Sequence, residues 1–90
     1  MSTILLGKDA VEKLLDMGEV IGAVEQAFRD LAEGKGRMPA KAYLVLEKGD
    51  FRAMPAALPG AAGMKWVNVH PENRSRGLPT VMAVMALLKA

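Results

Sequence analysis

Residues 50–73 read DFRAMPAALPGAAGMKWVNVHPEN. Two apolar segments flank a Pro59-Gly60 corner, and each carries one cation. Arg52 lies among Phe51, Ala53, Met54 and Pro55; Lys65 lies among Met64, Trp66 and Val67. A charge inside an apolar run needs a partner or an exit to water. Two such charges near one corner point to a small anion, and a carboxylate fits best.

Pairing of the two segments as a hairpin tests that idea. A two-residue loop at Pro59-Gly60 sets Arg52 opposite Val67 and Met54 opposite Lys65. The two cations are then diagonal neighbours on one face, roughly 7–8 Å apart at Cα. An odd-length loop without a bulge sends them to opposite faces. Pro-Gly favours a type II turn, which suits tight hairpins poorly. The competing reading puts both cations on the solvent face of a one-sided sheet, their stems packed on neighbours. Arg supplies a planar fork for a carboxylate, and Lys a mobile point charge for a carbonyl or imine.

Outward from this stretch, residues 3–6 form a short apolar run read as a strand, broken by Gly7. Val11, Leu14 and Leu15 recur at helical spacing over residues 8–16. Asp16 and Glu19 have the spacing of a capping box, so a second helix is expected over 16–33. Val20, Ile21, Val24, Ala27, Phe28 and Leu31 make its apolar stripe, and Gly34 and Gly36 offer positive-φ caps. Gly34-Lys35-Gly36-Arg37 lacks the Gly-Lys-Ser/Thr ending of a phosphate loop and follows a helix, so it reads as a helix exit. Residues 42–47 are dense in β-formers, and Lys48-Gly49-Asp50 signals a hairpin into the next strand. Strands over 51–57 and 62–70 lead to a polar loop, HPENRSRGLP. The closing run over 80–88 is apolar, and its periodicity does not separate strand from helix. The fold expected is α+β: one domain over 1–90, with a mixed or antiparallel sheet and two N-terminal helices packed on one face. Its other face is left under-covered, which marks an interface and predicts a homodimer.

The totals exclude several classes. Twelve basic against ten acidic residues leave a net charge of +2, too little for a nucleic-acid footprint. With no cysteine there is neither a disulfide framework nor a thiolate metal site, which fits the cytoplasm. The longest apolar run falls far short of the ~20 residues that span a bilayer. His70, the single histidine, cannot build a zinc site alone. Ser75 and Thr80 lack a His-Asp constellation. Glu72 and Asn73 read as loop caps; Arg74 and Arg76 read by default as cations of a solvated loop, the alternative being contact with a cofactor phosphate or a partner. No metal site is expected.

FRAMPA, GMKWVN and the run from HPEN to GLPTVMA carry a resemblance that covers nearly the whole chain. The sequence resembles the N-terminal part of the ornithine cyclodeaminase/mu-crystallin family, nearest its archaeal-type alanine dehydrogenases. The resemblance implies a substrate-binding and dimerisation domain of a dimeric, NAD(P)-dependent enzyme acting on a small amino, keto or imino acid. It implies that Arg52 and Lys65 hold the substrate carboxylate and the reacting carbonyl or imine. Lys65 is then the catalytic residue, and Lys41, two positions after Pro39, joins as a third substrate-binding cation. The family's Rossmann domain is absent from these residues, which contain no Gly-x-Gly-x-x-Gly. No cofactor-binding residue is therefore expected in this chain, and no catalysis by it alone. The alternative is a non-catalytic dimerising scaffold with a vestigial cation site.

Overall fold

The computed structural model describes residues 2–89. Helices α1 (Lys8–Leu14) and α2 (Met17–Ala32) precede strands β1 (Ala42–Leu46), β2 (Gly49–Leu58) and β3 (Ala61–Val69). A 3-10 turn, Pro71–Arg76, leads into β4 (Val81–Lys89). The strands form one antiparallel meander in the order β1-β2-β3-β4, so the sheet is antiparallel and not mixed. The architecture is α+β, as the patterning predicts.

Both ends of α2 are written in its sequence. The Asp16 carboxylate accepts from the Glu19 backbone N–H at 3.1 Å, which satisfies one orphan donor of the first turn. At the other end Gly34 takes φ 78°, and the Lys35 and Gly34 N–H groups donate to the carbonyls of Asp30 and Leu31. This is a Schellman ending. Gly34 alone supplies the left-handed residue; Gly36 does not have a positive φ.

The β2–β3 hairpin turns on two residues. Leu58 pairs with Ala61, and Gly60 between them has φ 83°. Positive φ at the second central residue, after a proline, is the type II pattern. A long, regular ladder on either side holds this turn despite its poor match to strand twist. The first hairpin closes earlier than predicted: Leu46 pairs with Gly49, so Glu47 and Lys48 make the turn. Gly49 is needed inside β2 instead, because a Cβ there would collide with the Val69 carbonyl and the His70 imidazole.

Two expectations differ from the structure. Residues 3–6 are not a strand; they have no ladder partner, and Ile4 and Leu5 are exposed. The cover given by the helices is also smaller than expected. Arg37 forms a two-bond bridge with Ala57, which ties the chain leaving α2 to the end of β2. The C-terminal half of α2 therefore abuts Ala56–Leu58 and does not lie across the sheet. Phe28 and Ile21 stay largely exposed, and neither helix buries a residue. Val67 is the buried apolar residue and Asn73 the buried polar one among the described residues.

Candidate functional site

Partners across an antiparallel ladder share a face, and side chains alternate along each strand. Arg52 pairs with Val67, and Met54 with Lys65, the register expected from a two-residue loop. Arg52 and Lys65 therefore stand on one face. The register extends across all four strands. One row runs Tyr43, Arg52, Val67, Ala83. The adjacent row runs Met54, Lys65, Met85. Lys41, one residue before β1, continues the face of Tyr43 and falls in line with Met54.

That second row lines a cavity. Lys41, Met54, Lys65 and Met85 border an open cavity of about 650 Å³, which Met38 and Leu87 also line. The bridge at Arg37 explains how Lys41 reaches it, since it lays the 38–41 connector along β2. Gly63 belongs to the same face and lets β3 and β4 approach; a Cβ there would lie 2.8 Å from the Ala86 carbonyl oxygen. Neither Lys41 nor Lys65 has an ion-pair partner among the described residues. Lys65 is half-buried and Lys41 exposed. Two ammonium groups without a carboxylate partner thus stand on largely apolar walls.

Arg52 stands one row away from Lys65, as the two-residue loop implies. It shares the face but does not line this cavity. Its Nε donates to Asp50 Oδ1 at 2.9 Å and its Nη2 to Asp50 Oδ2 at 3.3 Å. Asp50 sits two residues back on the same strand, on the side of Arg52 away from the lysine row. The guanidinium also lies over the Tyr43 ring, 5.2 Å from its centroid, and Lys41 Nζ approaches the same ring at 6.0 Å. The Arg52 pKa is raised above its ordinary value, first by the hydrogen bond it donates to Asp50, with partial desolvation opposing. The structure thus brings Lys41 and Lys65 onto one cavity wall and holds Arg52 in the neighbouring row. Asp50 and Tyr43 escaped the sequence reading. The available signals were an Asp-x-Arg pair on one strand face and an aromatic two residues after Lys41.

The polar loop is organised by Asn73. Its Nδ2 donates to the Pro79 carbonyl at 3.1 Å, and its Oδ1 accepts from Arg76 Nη2 at 2.6 Å. His70 packs edge-on against Phe51, and Lys48 reaches Glu72 at 3.5 Å. These contacts hold the β3–β4 connection. No cluster of three metal-ligating side chains occurs among the described residues, and no helix is long and apolar enough to cross a membrane.

Over residues 1–90 the sequence matches the ornithine cyclodeaminase/mu-crystallin family. The chain belongs to this family. It is 59% identical over 87 residues to the alanine dehydrogenase of Archaeoglobus fulgidus, covering 97% of this chain and 27% of that protein. Among solved structures it superposes on an archaeal alanine dehydrogenase dimer with bound NAD, with a TM-score of 0.87 and 58% identity. That match covers 91% of this chain and 26% of the other. A second is Thermococcus litoralis Δ1-pyrroline-2-carboxylate reductase in complex with NADH and L-proline, with a TM-score of 0.82 and 39% identity. It covers 87% of this chain and 25% of that one. The family member described here thus spans about a quarter of the length of these relatives.

The two ends of α2 do not make a pyrophosphate cradle. The N-terminus of α2, where a pyrophosphate would rest, is occupied by the Asp16 carboxylate, with Glu19 beside it. The glycine-rich 34–37 segment follows α2 instead of opening a helix.

Proposed function

We propose that this chain supplies the carboxylate-binding and dimerising part of an NAD(P)-dependent amino- or imino-acid dehydrogenase or deaminase of the alanine dehydrogenase type. One observation carries the reading: Lys41 and Lys65, unpaired, line one apolar cavity on the sheet face that also bears Arg52. The substrate carboxylate lies between the two ammonium groups over Met54. Lys65, half-buried, also donates to the carbonyl or imine oxygen or nitrogen and is the catalytic residue. Arg52 adds positive potential from the adjacent row. The hydride chemistry belongs to a nicotinamide cofactor, which the relatives' bound NAD and NADH support for the whole enzyme. The homodimer is supported by the dimeric relative and by the exposed sheet faces.

The test is a graft. These residues replace the matching segment of the A. fulgidus enzyme, and NADH-dependent amination of pyruvate is followed. The graft is expected to be active. Lys65→Ala lowers kcat by about 100-fold or more, in the range of a lost transition-state donor. Lys41→Ala acts mainly on KM. A folded graft whose Lys65→Ala variant keeps full kcat contradicts the assignment.

A further inference from the structure

The charged groups on the cavity face are unequal. Lys41 and Lys65 are unpaired, whereas Arg52 already grips a carboxylate, that of Asp50. Asp50 and Arg52 are both part-buried, with 24% and 32% of their side-chain surface exposed, so the contact is shielded and not a loose surface pair. The ladder register fixes the order of rows along β2: the lysine row at Met54, then Arg52, then Asp50. Each row lies about 7 Å from the next, two residues of strand rise. A carboxylate held between Lys41 and Lys65 therefore lies one row from Arg52. A ligand with a second carboxylate a few bonds away would present it to Arg52, where Asp50 already sits.

We propose that Asp50 is a specificity-determining residue that serves as an internal second carboxylate on Arg52, so that the site takes monocarboxylic acids and rejects dicarboxylic ones. This rests on the carboxylate-site reading above and narrows its substrate class. The rejection has two sources. An incoming second carboxylate meets like charge on Asp50, and it must displace a two-point, charge-assisted contact to gain one of its own. A monocarboxylate meets neither cost, because the lysine row holds it without calling on the fork of Arg52. Tyr43 supports the arrangement by stacking under the guanidinium, which limits its swing toward the cavity.

The experiment compares propionate with succinate, which differ by one carboxylate, in binding titrations of the grafted enzyme described above. The wild type binds propionate more tightly than succinate, and Lys65→Ala weakens both. Asp50→Asn keeps the shape, removes the charge and loosens the hold on Arg52. It shifts the succinate-to-propionate affinity ratio toward succinate by about tenfold or more, the scale of a charged hydrogen bond. Asp50→Ser, measured in parallel, shifts the ratio the same way and guards against a folding defect in either variant. Adding Arg52→Gln to Asp50→Asn returns the ratio to the wild-type value. An unchanged ratio in both Asp50 variants, with propionate still bound, overturns this proposal and leaves the carboxylate site standing. A wild-type graft that is active yet binds neither acid overturns both.

Discussion

Asn73 shows how one side chain can hold a whole connection. It is 3% exposed, and its amide joins the Pro79 carbonyl to the Arg76 guanidinium across the turn that feeds β4. Its backbone adds two more bonds, from its N–H to His70 and from the Leu78 N–H to its carbonyl. Asn73→Ala leaves the Pro79 carbonyl without its donor, and is expected to cost about 1–3 kcal/mol in urea unfolding. Asn73→Asp keeps the acceptor for Arg76 but cannot donate to Pro79, so it should recover only part of that loss. The identity of this residue was barely legible in HPENRSRGLP, because several polar side chains there could serve as the hub. In the fold the Asn73 side chain is buried while Arg74 and Ser75 are exposed. The same limit applied to Asp50. Asp-x-Arg on a strand puts both groups on one face, but whether the fork turns back to Asp50 or forward to Lys65 depends on side-chain torsions that spacing does not encode.

At the scale of elements, the reading succeeded where a local rule leaves one answer. Asp16 and Gly34 bound α2 because each meets a specific need: a side-chain acceptor at the first turn and a left-handed residue past the last. Asp16→Ala is expected to lower helix stability by about 1 kcal/mol. Gly34→Ala forces a Cβ into φ 78° and should cost about 1–2 kcal/mol. Thermal melts followed by circular dichroism at 222 nm check both, and an unchanged midpoint for either removes that cap from the account. The hairpin register was legible for a similar reason, since a two-residue loop leaves a single pairing and thereby fixes which cations share a face. The run over 81–89 was not. VMAVMALLK satisfies strand and helix patterns alike, and its strand form comes from the free edge of β3 that it pairs with. Residues 3–6 are the converse case: an apolar run with strand composition and no edge to join.

The whole molecule exposes more surface than a finished domain of its size. A folded monomer of 9.6 kDa has an accessible area of about 5,100 Å² by the usual scaling, whereas this chain has 7768 Å². Its radius of gyration, 15.5 Å, likewise exceeds the ~12 Å of a compact 90-residue chain. Large apolar side chains are among what is exposed. Val84, Met85, Leu87 and Leu88 of β4 are each more than half exposed, as are Tyr43, Leu44 and Val45 of β1. Strand β4 also presents an unpaired backbone edge that carries no charge before Lys89 and contains no proline, the features that leave an edge open to pairing. An uncovered area on the order of 2,500 Å² per chain matches what obligate partners bury. Two copies covering each other's sheets meet that need with the residues at hand. The expected result in light scattering is a mass of twice 9.6 kDa. The melting midpoint should rise with protein concentration, because association stabilises the folded form by mass action. A mass of one chain, with a midpoint independent of concentration, would mean that these faces belong to a different polypeptide surface. It would leave the Lys41–Lys65 cavity to be completed from there.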